Sequence, residues 1–147
     1  RQRQMCIRDR YMDLASVDQQ ISKARLKLMH QLKTGALIQA SVLLGSITVA
    51  TNYEDHSALK SYAEKLGLAY QVVDDILDAT ADTSVLGKTA GKDEQDNKPT
   101  YVSMLGLSEA KDYAAALHHE ALEAIRPLGS RAERLRALAD LIIHRQS

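Results

Sequence analysis

The sequence predicts an all-α chain, and three observations carry that prediction. Apolar residues recur at three- and four-residue intervals along most of the 147 residues, and no stretch alternates as a half-buried strand would. The hydrophobic fraction of 45% comes mainly from aliphatic and Ala-rich stretches with few β-branched residues. Hydroxyl residues followed three positions later by Gln or Glu mark helix starts.

Residues 1–10, RQRQMCIRDR, precede the first periodic segment and carry four Arg with neither helical nor strand periodicity. They read either as a solvated basic tail or as non-native sequence, because MCIRDR resembles translated adaptor read-through. From Tyr11 onward the chain reads as ordinary protein. A first helix is expected over residues 16–32, opened by the Ser16/Gln19 pair, with Val17, Ile21, Ala24, Leu28 and Met29 on one face. Lys33, Thr34 and Gly35 then interrupt it, with Thr34 as the N-cap of a second, uncharged helix. A third helix is expected over residues 55–79, with Gly67 tolerated inside it at about 1 kcal/mol relative to Ala. Residues 80–99 lack an apolar period, and so long a loop in a compact domain is usually functional or disordered. A short helix over 99–105 follows, then a longer one from Ser108 to Ile125, stopped by Pro127. A second capping pair, Ser130/Glu133, precedes a last helix over 132–144.

Composition narrows the functional classes. Nineteen basic residues balance nineteen acidic ones, so no global field draws in nucleic acid or an anionic surface. The single cysteine, Cys6, excludes a disulfide framework and a cysteine-based metal cluster. The polar, basic start has no apolar segment of signal-peptide type behind it, and a cytoplasmic protein is expected. The longest uncharged run, residues 35–51, would make about 26 Å of helix, short of a bilayer core of about 30 Å. Gln39, Ser41, Ser46 and Thr48 dilute it further, so it reads as a buried helix of a bundle.

Chemistry concentrates in residues 70–78, YQVVDDILD. With Gln71 at zero on a helical wheel, Asp74 falls near 300°, Asp78 near 340° and Asp75 near 40°, an arc of about 100°. Val72, Val73, Ile76 and Leu77 take the remainder. Gly67, one turn upstream on the same arc, is expected to leave open space above the carboxylates. Three carboxylates on one face repel by several tenths of a kcal/mol per pair, so solvent, basic side chains or a divalent cation must offset them. An all-oxygen donor set suits a hard ion such as Mg²⁺. The spacing is not that of an EF-hand. The following loop adds Gly87-Lys88, Gly91-Lys92-Asp93 and Asn97-Lys98, with glycines that admit a ligand to the backbone and lysines suited to phosphate oxygens. Lys33 opens the uncharged helix. Carboxylates, Mg²⁺ and lysines together describe a diphosphate site.

At these residues the chain resembles the C-terminal half of a trans-prenyl diphosphate synthase, the short-chain bacterial type that makes farnesyl or geranylgeranyl diphosphate. The likeness runs through KTGAL at 33–37, GLAYQVVDDILD at 67–78, and LGK at 86–88 through Asp93 to NKPTY at 97–101. Tyr70 stands where Phe is common in the family. The resemblance implies an incomplete helical bundle of the isoprenoid synthase type spanning residues 11–147. It also implies Mg²⁺-assisted ionisation of an allylic prenyl diphosphate, followed by condensation with isopentenyl diphosphate. By position, Asp74 is then the direct Mg²⁺ ligand, with Asp75 and Asp78 acting through waters or a second ion. Lys33, Lys88 and Lys98 hold the diphosphate, Thr34 and Gln71 face the developing cation, and Ala36, Ala40 and Leu43 line the prenyl chain. The family's first aspartate-rich motif and its Arg-Arg pair have no counterpart here, Asp13 and Asp18 being isolated, so this polypeptide alone is expected to be inactive. A homodimeric parent is implied. The rival readings are a terpene cyclase fragment, whose second-half motif differs, and a non-catalytic helical subunit. His118 and His119 read as surface residues, as do Arg134, Arg136 and Arg145, with Arg145 alternatively closing over the site; Met12, Met29 and Met104 read as core fillers.

Overall fold

The computed structural model describes residues 22–48, 52–80 and 99–145, apart from the side chains of Lys23 and Lys33. Helix α1 (Lys23–His30) starts at Ser22, whose backbone is extended and whose hydroxyl accepts the Arg25 N–H. A helix running unbroken from residue 16 is therefore corrected; the Ser16/Gln19 pair lies outside the described residues. The expected break at 33–35 is corrected too. The chain stays helical through a π turn (Gln31–Gly35) into α2 (Ala36–Thr48). Thr34 does not cap, because the turn never leaves helical geometry and its hydroxyl is engaged elsewhere.

Helix α3 (Tyr53–Thr80) is the axis of the fold. The Asn52 side chain accepts the Asp55 N–H at 2.7 Å, which starts the helix two residues before its expected position. Helix α4 (Tyr101–Leu105) opens on a capping box in which Thr100 and Ser103 exchange bonds of 3.0 Å. Gly106, at φ 84°, turns the chain directly into α5 (Leu107–Ala124), one residue before Ser108. Pro127 ends that helix as expected, and residues Arg126–Ala132 wind as a 3₁₀ turn into α6 (Glu133–Ile143). The Ser130/Glu133 box does not form: the backbone kinks at Gly129 (φ 59°), and the N-cap of α6 is Ala132, with no side-chain bond.

Two apolar clusters lie along α3. Toward its C-terminal end, Leu68, Ala69, Val72 and Val73 pack with Leu26, Met29, Tyr101 and the first half of α5. Toward its N-terminal end, Leu59, Tyr62 and Leu66 pack with Ile125, Leu128 and Ala139. The fully buried Tyr62 donates its hydroxyl to the Leu135 carbonyl at 2.7 Å, tying α3 to α6. Lys65 pairs with Glu120 between α3 and α5. Asp55, 12% exposed at its side chain, accepts both Arg131 nitrogens at 2.8 and 3.2 Å.

Helix α2 departs from the buried helix expected of it. Leu37, Leu44 and Ile47 are 66%, 65% and 70% exposed, and Ala40 is exposed as well. Only one side of α2 meets α3, so its uncharged outer face stays uncovered by the described residues. No described helix is long and apolar enough to cross a membrane.

Candidate functional site

The site is built where the π turn approaches the C-terminal half of α3. A Cβ placed on Gly67 would come within 2.8 Å of the Gly35 Cα. The two helices thus touch backbone to backbone, and the open space expected above the carboxylates is filled by Gly35. The contact sets the next one along: Gln71, 6% exposed, donates its side-chain amide to the Thr34 hydroxyl at 2.9 Å. Two residues singled out 37 positions apart are therefore joined directly.

The acidic arc divides into two pairs, each spaced one turn apart. Gln71 and Asp75 form its buried edge, Asp74 and Asp78 its outer edge. Asp75 is 8% exposed and accepts the Tyr101 backbone N–H at 2.7 Å, so its carboxylate anchors the first turn of α4. Burial first, then Tyr113 and the Asp75 carboxylate, push the Tyr101 hydroxyl well above the usual phenol range. Tyr101 packs edge-on against His30, which is buried at the end of α1, and lies 5.5 Å from the Tyr113 ring. Asp74, by contrast, is 61% exposed, and Asp78 is half-buried. Lys88 and Lys98 lie outside the described residues, as does the Lys33 side chain, although the Lys33 backbone sits within the π turn beside Thr34.

Arg145 is not a solvated surface residue. Its side chain is 22% exposed, and Nη2 donates to Asp74 Oδ1 at 3.0 Å and to the Tyr70 carbonyl at 3.3 Å. The guanidinium lies 4.0 Å from the centroid of the Tyr70 ring, a cation–π contact that Phe would supply equally. In the sequence it is a basic residue just past the last apolar helix, read either as a surface group or as closing over the site. Arg134 and His119 are exposed as expected, whereas His118 is partly covered and bonded to Asp140 at 2.8 Å. Met29 is buried and Met104 packs against the core; Met12 lies outside the described residues.

Among the described residues no three His, Cys, Asp or Glu converge as a metal site. What α3 presents outward is two carboxylates, Asp74 and Asp78, beside a polar Thr34–Gln71 pair. That donor set fits a hard divalent ion, since Mg²⁺ takes one or two carboxylates and completes its shell with water and substrate phosphates. Arg145 on Asp74 shows that this edge already holds a positive charge.

Comparison with known proteins places this arrangement in a family. The polyprenyl synthetase family model matches residues 3–139. A probable farnesyl diphosphate synthase of Sinorhizobium fredii is 49% identical over 145 residues, covering 92% of this chain and 44% of that protein. Among solved structures, a putative farnesyl-diphosphate synthase from Marinomonas is 38% identical with a TM-score of 0.78, over 93% of this chain and 46% of that one. A geranyltransferase from Helicobacter pylori, solved with magnesium and isoprenyl diphosphate, is 30% identical with a TM-score of 0.75, over 93% of this chain and 45% of that one. The chain spans less than half the length of these relatives. The helical bundle and the matched span agree: this chain belongs to the polyprenyl synthetase family.

Proposed function

We propose that this chain supplies one wall of the active site of a Mg²⁺-dependent prenyltransferase. That enzyme joins an allylic prenyl diphosphate to isopentenyl diphosphate and gives a longer linear trans-prenyl diphosphate. The supporting observation is the outward Asp74–Asp78 pair, one helical turn apart, beside the bonded Thr34 and Gln71. Asp74 holds the metal directly. Asp78 follows through water or a second ion, and Asp75 acts through water and through its hold on Tyr101. A bound Mg²⁺ supplies Lewis-acid stabilisation of the charge that grows on the leaving diphosphate. Lys33, Lys88 and Lys98 hold the diphosphate oxygens and share in stabilising that charge.

Gln71 uses its amide N–H on Thr34, which leaves its carbonyl dipole for the developing allylic cation. Neither group is a nucleophile strong enough to trap the cation. Ala36, Ala40 and Leu43, along α2, form the apolar wall for the prenyl chain. The reading carries with it a homodimeric, cytoplasmic parent and no activity for the 147-residue chain alone, because one wall cannot complete the metal cluster.

Calorimetric titration with a non-hydrolysable allylic diphosphate tests the reading. Binding is expected to require Mg²⁺ and to fall at least tenfold in Asp74→Asn, a loss of about 1.4 kcal/mol or more. Mg²⁺-independent binding, unchanged by that substitution, would refute the assignment. Steady prenyl transfer by the purified chain would refute the expected inactivity.

A further inference from the structure

We infer that Arg145 is a built-in counter-cation for Asp74, holding that carboxylate when no metal is bound and leaving it when a divalent ion arrives. The inference rests on the metal reading above and concerns a residue which that reading does not use.

Two ion pairs on α3 differ in kind. At its N-terminal end Arg131 grips both oxygens of the nearly buried Asp55 with two nitrogens, the geometry of a permanent fastening. At the other end Arg145 reaches one oxygen of Asp74 through Nη2 alone, and Asp74 is mostly open to solvent. Arg145 Nε, though buried, has no hydrogen-bond partner among the described residues. A single-nitrogen contact to an exposed carboxylate is easily exchanged. The guanidinium also keeps two attachments that do not involve Asp74, the Tyr70 carbonyl and the Tyr70 ring. It can therefore release the carboxylate without being cast into solvent.

The approach is set from behind. His118 bonds Asp140 at 2.8 Å, and its ring meets that of His144 edge-on at 6.3 Å, which fixes the end of α6 on α5 just before Arg145. A divalent ion and a guanidinium on one carboxylate repel each other, so metal entry and the Arg145–Asp74 contact oppose one another. The pair thereby relieves the repulsion between Asp74 and Asp78 in the metal-free protein and tunes metal affinity downward. Arg145 is a positioning residue that acts through Asp74.

The experiment titrates the intact chain with Mn²⁺ alone, reading free metal by electron paramagnetic resonance, in wild type, Asp74→Asn, Arg145→Gln and Arg145→Lys. Asp74→Asn is expected to lose Mn²⁺ binding. Arg145→Gln is expected to bind about fivefold tighter than wild type, the scale of an exposed ion pair removed from the competition. Arg145→Lys, which keeps the charge without the planar fork, should fall between. In wild-type protein the Arg145 Nε–Hε resonance should shift as Mg²⁺ is added. A latch that merely holds the C-terminal segment predicts the opposite sign, weaker binding once it is cut. Equal or weaker binding in both Arg145 variants, with Asp74→Asn still deficient, overturns the inference and leaves the metal reading standing. An Arg145 resonance unmoved by saturating Mg²⁺ also overturns it. Mn²⁺ binding that is indifferent to Asp74→Asn overturns both.

Discussion

Replacing Gly67 by Ala puts a methyl group where the structure has none to spare. The new Cβ would lie 2.8 Å from the Gly35 Cα, and 3.6 and 3.7 Å from the Gly35 carbonyl oxygen and carbon. These are backbone atoms on a neighbouring helix, so no rotamer change relieves the overlap. The π turn and α3 must move apart. Overpacking of this kind costs about 1–3 kcal/mol, against which Ala returns about 1 kcal/mol of helix propensity. A net destabilisation of up to about 2 kcal/mol is expected, with the Gln71–Thr34 bond lengthened because it lies one turn beyond the contact. Gly45 supplies the internal control. It too lies inside a helix, α2, but an added Cβ there meets nothing within 4 Å. Gly45→Ala should therefore stabilise by about 0.5–1 kcal/mol from backbone entropy alone. Urea unfolding of both variants, followed by circular dichroism, reads the two signs in one experiment. A Gly67→Ala protein as stable as Gly45→Ala would refute the close helix contact and the site geometry built on it.

Two substitutions at Asp75 should separate. Asp75→Ala strands the Tyr101 N–H and should cost about 1–3 kcal/mol, with faster amide exchange at Tyr101, whereas Asp75→Asn keeps an acceptor and most of that stability. Equal stability of the two Asp75 variants would show that the bond to Tyr101 is not what the residue is for. Alkali should weaken the fold. Burial raises Tyr62 and Tyr101 above their unfolded value of 10.0, so each holds its proton longer when folded. Their stabilisation is complete below about pH 10 and declines above it, as the unfolded chain ionises first and stability falls toward the raised folded values. Denaturant unfolding between pH 8 and 11 should show that decline. It should be shallower in Tyr62→Phe, which also loses about 1 kcal/mol with the bond to Leu135.

Local elements were legible because their causes are local. Apolar spacing and Pro127 after α5 each act within a turn or two, and the helices they imply are present. The exceptions are Thr34, where the chain turns without leaving helical geometry and no helix end needs a cap, and Ser130, which follows the non-helical kink at Gly129 while α6 takes Ala132 as its N-cap. The acidic arc on α3 was legible as an arc for the same local reason.

What a helical wheel cannot contain is a partner. The side of the arc that meets α4 became an anchor at Asp75, and the side that meets solvent kept Asp74 and Asp78 outward. Gly67 read as empty space until Gly35 was packed against it, and Arg145 read as a surface charge or as a residue closing over the site until the end of α6 carried it across 71 residues to Asp74. Helix formation is decided by neighbours in sequence. Whether a carboxylate faces a backbone amide, an arginine or water is decided by which helices pack, and that depends on contacts far apart in the chain.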